Sequence, residues 1–280
     1  MVLAHNAVYT GEPPKSFMFY MKTLATFWKT RRFGRISDPI YDLGLQMNSD
    51  YRSLSARAAE MPVRKVLVAA VEVPARFAAL DRVVSALSET RHEVTFVRAP
   101  MGNRGKFDNI SLAIANIQME QFDWFIVVDD DIELPSNFLD RFLYVSEKKH
   151  LVLSQPAHKI NSYKIWGITR RTWRNLSRTT HFVECGPVTA FHRSLLADVL
   201  PFPQSRWGWG LDFLWSEAAR KRGLNIGIVD ATPIRHTRRV AGSYSWAQAE
   251  GEMFKLLESF GVTRNQGDYM VSIAEFRTLD

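Results

Sequence analysis

Apolar residues in this chain fall into short unbroken runs, separated by longer stretches in which they recur every three or four positions. Lys65–Val71 (KVLVAAV) and Trp124–Val128 (WFIVV) are such runs. Runs rich in β-branched and aromatic residues, with no polar alternation, predict strands covered on both faces, as in a parallel sheet. Glu93–Val97 (EVTFV) predicts another strand, and the stretch near Phe77–Glu89, after Pro74, predicts the helix between them. Strand, helix, strand at this spacing is a βαβ unit with parallel pairing and a right-handed crossover. Further helices are predicted where Ile110, Ala113, Ile114 and Ile117 share a face, over Ser136–Val145 and over Phe213–Arg222. A terminal helix is predicted over 246–260, with Met253, Leu256, Leu257 and Phe260 facing inward. Leu151–Ser154 and Asn225–Asp230 predict strands. So does Phe182–Phe191, whose Gly186 and Pro187 place it at a bend or sheet edge. The fold class is α/β.

The chemistry gathers where these elements end. Trp124–Val128 runs straight into Asp129, Asp130 and Asp131. Open α/β sheets bind ligands beyond the carboxyl ends of their strands. Three adjacent carboxylates there repel one another unless a counter-charge is present, and a divalent cation carrying phosphate oxygens supplies it. The loop Met101–Lys106 (MGNRGK) places Arg104 and Lys106 at a helix start, where phosphate can be held; it matches neither a P-loop nor a dinucleotide fingerprint, and also reads as an ordinary solvated turn. In Arg206–Asp212 (RWGWGLD), Trp207 and Trp209 suit a sugar-contacting rim. Asp212 reads either as a helix cap or as a general base that stays ionised at neutral pH. His236 follows a strand end, as the aspartates do, and is a candidate metal ligand. Arg238 lies in the basic tail Thr237–Tyr244, placed to close over a diphosphate.

Composition adds a partner and a compartment. The 280 residues carry a net charge of +7 and 46% hydrophobic residues, which supports a full core and an anionic partner. The lone Cys185 excludes an intrachain disulfide framework and fits a reducing compartment. No apolar run approaches the roughly 18 residues of a spanning helix, and no leader pattern opens the chain. The reading is a soluble, cytoplasmic protein, peripheral at the membrane face. Lys15–Arg35 holds six basic residues and no acid, interleaved with aromatics, which reads as a segment touching anionic lipid or as a helix packed on the main domain. A second acid-free stretch, Leu151–Val183, carries six cations with Trp166 and Trp173. It can serve nucleic acid, a phosphorylated or sugar-bearing acceptor, or solvent. The domains read as a basic extension over 1–60, a main domain over 61–245, and a C-terminal helix and tail over 246–280.

Taken in order, these pieces resemble a GT-A (Rossmann-like) glycosyltransferase, similar to the inverting family 2 enzymes. They are the βαβ start, the aspartate triplet in the place of a DxD motif, the Gly/Trp segment before Asp212, and the strand ending in His236. The runs SQPAHKINSYKIWGITRR, FVECGPVTAF and WGWGLDF are similar to a poorly characterised plant and bacterial group with the same fold. The resemblance covers about Val63 to His236. It implies a mostly parallel central sheet, a nucleotide diphosphate sugar as donor and Mn²⁺ or Mg²⁺ as cofactor. It places Asp129 toward the ribose and Asp131 on the metal, with Asp130 able to trade places with either. His236 approaches the metal and diphosphate, Asp212 deprotonates the acceptor hydroxyl, and Glu72 lies near the nucleobase. Arg98 stands where those enzymes often carry a uracil-reading aspartate, which leaves the base open. The acceptor is a glycan or a lipid-linked molecule. A metal-dependent phosphoryl-transfer or nuclease-type enzyme is the alternative. A nucleic-acid-binding protein is a further one, although it leaves the strand-end carboxylates without a purpose.

Overall fold

A computed structural model describes residues 33–239 and 245–280. Most of the basic segment Lys15–Arg35 and most of the tail Thr237–Tyr244 lie outside them. The described chain begins in helix α1 (33–46) and continues through α2 (Ser49–Glu60), β1 (Lys65–Glu72), α3 (Phe77–Ser88) and β2 (Glu93–Pro100). Next come α4 (Lys106–Ile114), β3 (Trp124–Val128), β4 (Ile132–Glu133), α5 (Phe138–Lys148) and β5 (Leu151–His158). The remainder is β6 (Ser177–Thr180), β7 (Val188–His192), α6 (Arg193–Val199), α7 (Leu211–Lys221), β8 (Asn225–His236), α8 (Trp246–Ser259), α9 (Gln266–Tyr269) and β9 (Ser272–Phe276).

The fold is α/β, with helices flanking one central sheet of order β2-β1-β3-β7-β5-β8-β6-β9, and β4 pairing with β8. β1 runs parallel to both β2 and β3, and β5 parallel to β8. Alternation along β1 and β3 splits the core in two. Val66, Val68, Trp124 and Ile126 join one cluster, while Leu67, Ala69, Phe125 and Val127 join the other. Every residue of β3 is buried, which is why its sequence shows no polar alternation.

Boundaries moved for identifiable reasons. α5 starts at Phe138 rather than Ser136 because Asn137 takes a left-handed conformation (φ 50°). β8 runs on to His236 because β4 pairs with its last residues. Of the predicted strand Phe182–Phe191, only the part from Val188 is regular, as part of β7. β6, with the sequence SRTT, went unread because its one long side chain is a cation, Arg178. α8 ends at Ser259, and Phe260 is exposed instead of facing inward, although Met253 and Leu257 are buried.

The acid-free stretch Leu151–Val183 is not an acid-free surface. Arg178 is buried against Asp230 on β8 at 2.8 Å, and it also donates to the Ile168 and Arg170 carbonyls. Arg171 is buried against Asp38 and Asp42 of α1 at 3.4 and 2.7 Å. The acids that neutralise these guanidiniums come from distant parts of the chain, so a sequence window does not reveal them. Asp38 also accepts the Ile160 and Asn161 N–H groups, each at 2.8 Å. α1 lies flush on that loop: a Cβ at Gly34 would come within 2.5 Å of the Asn161 nitrogen. On the outward face of α1, Phe33, Ile36, Ile40 and Leu43 are exposed, followed by Met47.

Candidate functional site

β1 and β3 are parallel and both end at the same sheet edge, so the residues immediately after β3 project beyond that edge. Those residues are Asp129–Asp131. The Asp129 N–H donates to the Pro187 carbonyl at 2.8 Å, tying the triplet to the irregular segment before β7. β4 then turns the chain onto β8, pairing Ile132 with His236 and Glu133 with Arg235. Thr237 donates from both its N–H and its hydroxyl to the Asp131 carbonyl, at 2.8 and 2.9 Å. Asp131 and His236, 105 positions apart, thereby meet at 3.1 Å.

The three aspartates diverge. Asp129, Asp131 and His236 offer ligand atoms that all lie within 4.8 Å of one another. Asp130 turns away, is nearly solvent-free and pairs with Arg76 at 2.8 Å. Burial raises the Asp130 proton affinity against the pull of Arg76, and its two neighbouring aspartates add to the rise. Asp131 moves the other way: burial opposes its charge, but the hydrogen bond and charge of His236 outweigh that and hold it below the usual carboxylate range. His236 is correspondingly raised, burial again being outweighed by Asp131, Asp129 and Glu184. Lys106, at the start of α4, places its ammonium 2.6 Å from Asp129.

A cavity of about 310 Å³ opens beside these groups. Lys106, Asp129, Trp207, Trp209, Asp212 and His236 all line it, so six of the residues singled out in the sequence share one space. Gly208 and Gly210 hold positive φ (77° and 95°), which lets the two tryptophans alternate with backbone too tight for other side chains. A Cβ at Gly105 would lie 2.1 Å from the Ser205 carbonyl, so the basic loop and the tryptophan loop touch backbone to backbone. Asp131 contributes to the ligand trio without lining the cavity. Glu72 and Arg238 lie outside it: Glu72 pairs with Arg98 at 3.2 Å, and Arg98 also reaches Asp81 at 2.7 Å. Arg238 is exposed, with its charge acting on Asp130. The neighbouring Arg239 faces the cavity instead.

Asp212 is the second residue of α7; the capping position is Gly210. It is buried, and its proton affinity differs from that of an ionised helix-start acid. Burial and the nearby Glu184 push it up to about 7, against N–H groups of Phe213, Cys185 and Gly210 that favour the carboxylate. Glu184 is itself pushed up to about 7 by burial, with His236, the Ile165 N–H, Lys164 and Thr169 opposing. Two buried acids sharing one cavity with displaced proton affinities make that cavity the candidate functional site. Sequence reasoning passed over Glu184 and its neighbour His158, both of which line the cavity. One signal was available: Glu184 is the first acid after the acid-free stretch, set in the otherwise apolar FVECGPV.

No protein-family model matches the chain, and no curated protein matches it in sequence. Solved structures similar to it include GalNAc-T7 with UDP, GalNAc and Mn²⁺, at TM-score 0.47 and 13% identity, covering 71% of this chain and 48% of that one. S. aureus TarS 1–349 in complex with UDP-GlcNAc has TM-score 0.47 and 11% identity, covering 65% and 62%. A197 from STIV lies at TM-score 0.40 and 12% identity, covering 63% and 86%. The chain thus spans about half of the first and under two thirds of the second. Values this low leave function to be argued from the site.

Proposed function

We propose that the chain is a metal-dependent, inverting GT-A-type glycosyltransferase that moves a sugar from a nucleotide diphosphate sugar to an acceptor hydroxyl. The observation that carries this reading is an Asp–Asp–His trio whose Asp129 and His236 line the same tryptophan-rimmed cavity as the buried acid Asp212. The trio fits a divalent cation. Its two carboxylates suit Mn²⁺ or Mg²⁺, and the imidazole favours a transition metal such as Mn²⁺ over Mg²⁺. His236 Nε2 faces Asp131 Oδ1 at 3.1 Å, and the Lys106 ammonium already rests on Asp129 as a cation would. When bound, the metal supplies charge neutralisation to the departing diphosphate, a contribution of several kcal/mol.

The chain's own residues do the rest. Lys106, Arg206 and Arg239 present positive charge to the diphosphate within the cavity, with Arg238 just outside it. Trp207 and Trp209 offer faces to the sugar or acceptor, and Glu72 is placed toward the base. Asp129 faces the ribose. Asp212 accepts the acceptor hydroxyl proton as that oxygen attacks the anomeric carbon, while the diphosphate leaves from the opposite face. A positioned base of this kind contributes ~10²–10⁴ in rate. Peripheral contact with an anionic membrane, and hence a lipid-linked acceptor, belongs to the same reading. The exposed apolar row on α1 and the basic residues preceding it support that contact.

Calorimetric titration of UDP and GDP, with and without Mn²⁺, tests the core of the proposal. Binding that requires Mn²⁺ and disappears in Asp131→Ala is the predicted result. Metal-independent binding, or binding unchanged in Asp131→Ala, would reject it.

A further inference from the structure

The inner wall of the cavity carries two polar atoms that the proposed transfer leaves unused. Glu184 Oε2 and His158 Nε2 face each other at 3.7 Å, too far for a hydrogen bond, and their side chains are only 6% and 1% exposed. Both residues line the cavity, and neither atom has a partner among the described residues. Buried polar groups are nearly always satisfied, because an orphan keeps the cost of losing water with nothing to offset it. Two orphans on residues that line one cavity therefore mark where a ligand's polar atom belongs.

The surrounding hydrogen bonds say which atom donates. Ser162 Oγ accepts the His236 N–H at 2.8 Å and lies 2.9 Å from His158 Nδ1. Its own hydrogen has two possible acceptors, and the Tyr163 carbonyl is the poorer one at 3.4 Å. On distance the hydroxyl hydrogen is assigned to Nδ1, an assignment that leaves the ring hydrogen on Nε2. Burial keeps this imidazole neutral, its proton affinity lowered to about 3. Across the gap, Glu184 receives the Ile165 N–H and faces the Thr169 hydroxyl, and once ionised, above about pH 7, it leaves Oε2 over as an acceptor. A donor and an acceptor thus converge on one point. A hydroxyl is the group that accepts and donates at a single oxygen, and one placed about 2.8 Å from each atom bridges a 3.7 Å gap.

We propose that His158 and Glu184 form a recognition site for one hydroxyl of the sugar held in this cavity, accepting from His158 Nε2 and donating to Glu184 Oε2. The proposal rests on the reading of the cavity as a sugar-nucleotide site and adds a selection rule to it. A sugar lacking that hydroxyl leaves both buried groups unpaired, and sites built this way reject the deoxy analogue far more strongly than an apolar pocket rejects a missing methylene.

The test uses the full chain with Mn²⁺ at about pH 8, where Glu184 is ionised, titrated with UDP and GDP and with their glucose, galactose and mannose conjugates and deoxy forms. Glu184→Gln is the informative variant: its carbonyl must serve the Ile165 N–H, so its amide NH₂ replaces an acceptor with a donor. The predicted result is unchanged affinity for the free diphosphate, loss of roughly tenfold or more for the hydroxylated conjugate, and no further loss for the matching deoxy form. His158→Phe, which removes the donor while keeping the ring, should reproduce the pattern, with thermal melting confirming that both variants fold. Conjugates that bind Glu184→Gln as they bind the parent overturn the proposal alone, a buried water then filling the gap. Failure of the parent protein to bind any diphosphate or conjugate overturns the sugar-nucleotide reading, and this proposal with it.

Discussion

In the proposed site Lys106 and a divalent cation would compete for Asp129, and the competition can be measured. The ammonium sits 2.6 Å from Asp129 Oδ1, with the two side chains 25% and 30% exposed. At that separation the Coulomb attraction is about 1.5 kcal/mol in bulk water and about 6 kcal/mol at an effective dielectric constant of about 20. Partial exposure and the entropy of a long side chain bring a pair of this kind down to about 1 kcal/mol. Lys106→Met removes the competitor while keeping an unbranched stem beside Phe107. Mn²⁺ binding without nucleotide should therefore tighten about fivefold, by the same conversion. Nucleoside diphosphate binding at saturating Mn²⁺ should weaken, because a phosphate-facing cation is gone. Calorimetry at low ionic strength reads both constants, and the first effect should shrink as salt is added. Weaker Mn²⁺ binding in the absence of nucleotide would refute the reasoning.

Four further outcomes are expected from the geometry. Transfer should fall as the medium is acidified through about pH 7, since Asp212 must be a carboxylate to take a proton and its affinity is pushed up to about 7; a lower limb near pH 4 in the rate profile would exclude it as the base. The same displacement in Asp212 and Glu184 fixes a sign for stability. Their contribution is fullest below the ordinary carboxylate range and is lost as pH rises through about 7, the two titrating as a coupled pair, which denaturation midpoints across pH 4–8 can check. Asp230→Asn strands the buried Arg178 charge, with a predicted loss of about 3–5 kcal/mol, or about 6–20 °C in melting temperature; a urea titration showing under about 1 kcal/mol would contradict the buried pairing. Full-length protein should sediment with phosphatidylglycerol vesicles, and Ile36→Glu with Leu43→Glu should reduce this several-fold; equal sedimentation would remove the membrane contact.

What the sequence disclosed depended on how local each signal was. β1 and β3 were legible because strands covered on both faces must be apolar throughout, and no other part of the chain has to be consulted to see it. Asp129, Asp131, Asp212 and His236 were legible as reactive residue types beside element ends. The function of Asp130 was not, because its partner Arg76 lies in a turn with no pattern of its own. Glu184 and His158 were missed for a related reason. His158 ends β5 and Glu184 lies in the irregular segment before β7, and only the folded chain shows that each has an atom without a partner among the described residues. The Arg171–Asp38 pair joins residues 133 positions apart, so the cations of that stretch read as surface until the acids arrived.

β4 has only two residues, yet it decides how the ligand trio behaves. It registers Ile132 against His236, and Thr237 clips the Asp131 carbonyl twice, so main-chain bonds hold the two side-chain roots in place. The arrangement works like a jig: the donor atoms can be exchanged while the frame that presents them stays intact. On the proposed reading of the trio, metal preference is therefore separable from folding. A lineage could exchange a carboxylate for an imidazole at position 131, or the reverse at position 236, and retune which cation it takes without rebuilding the sheet.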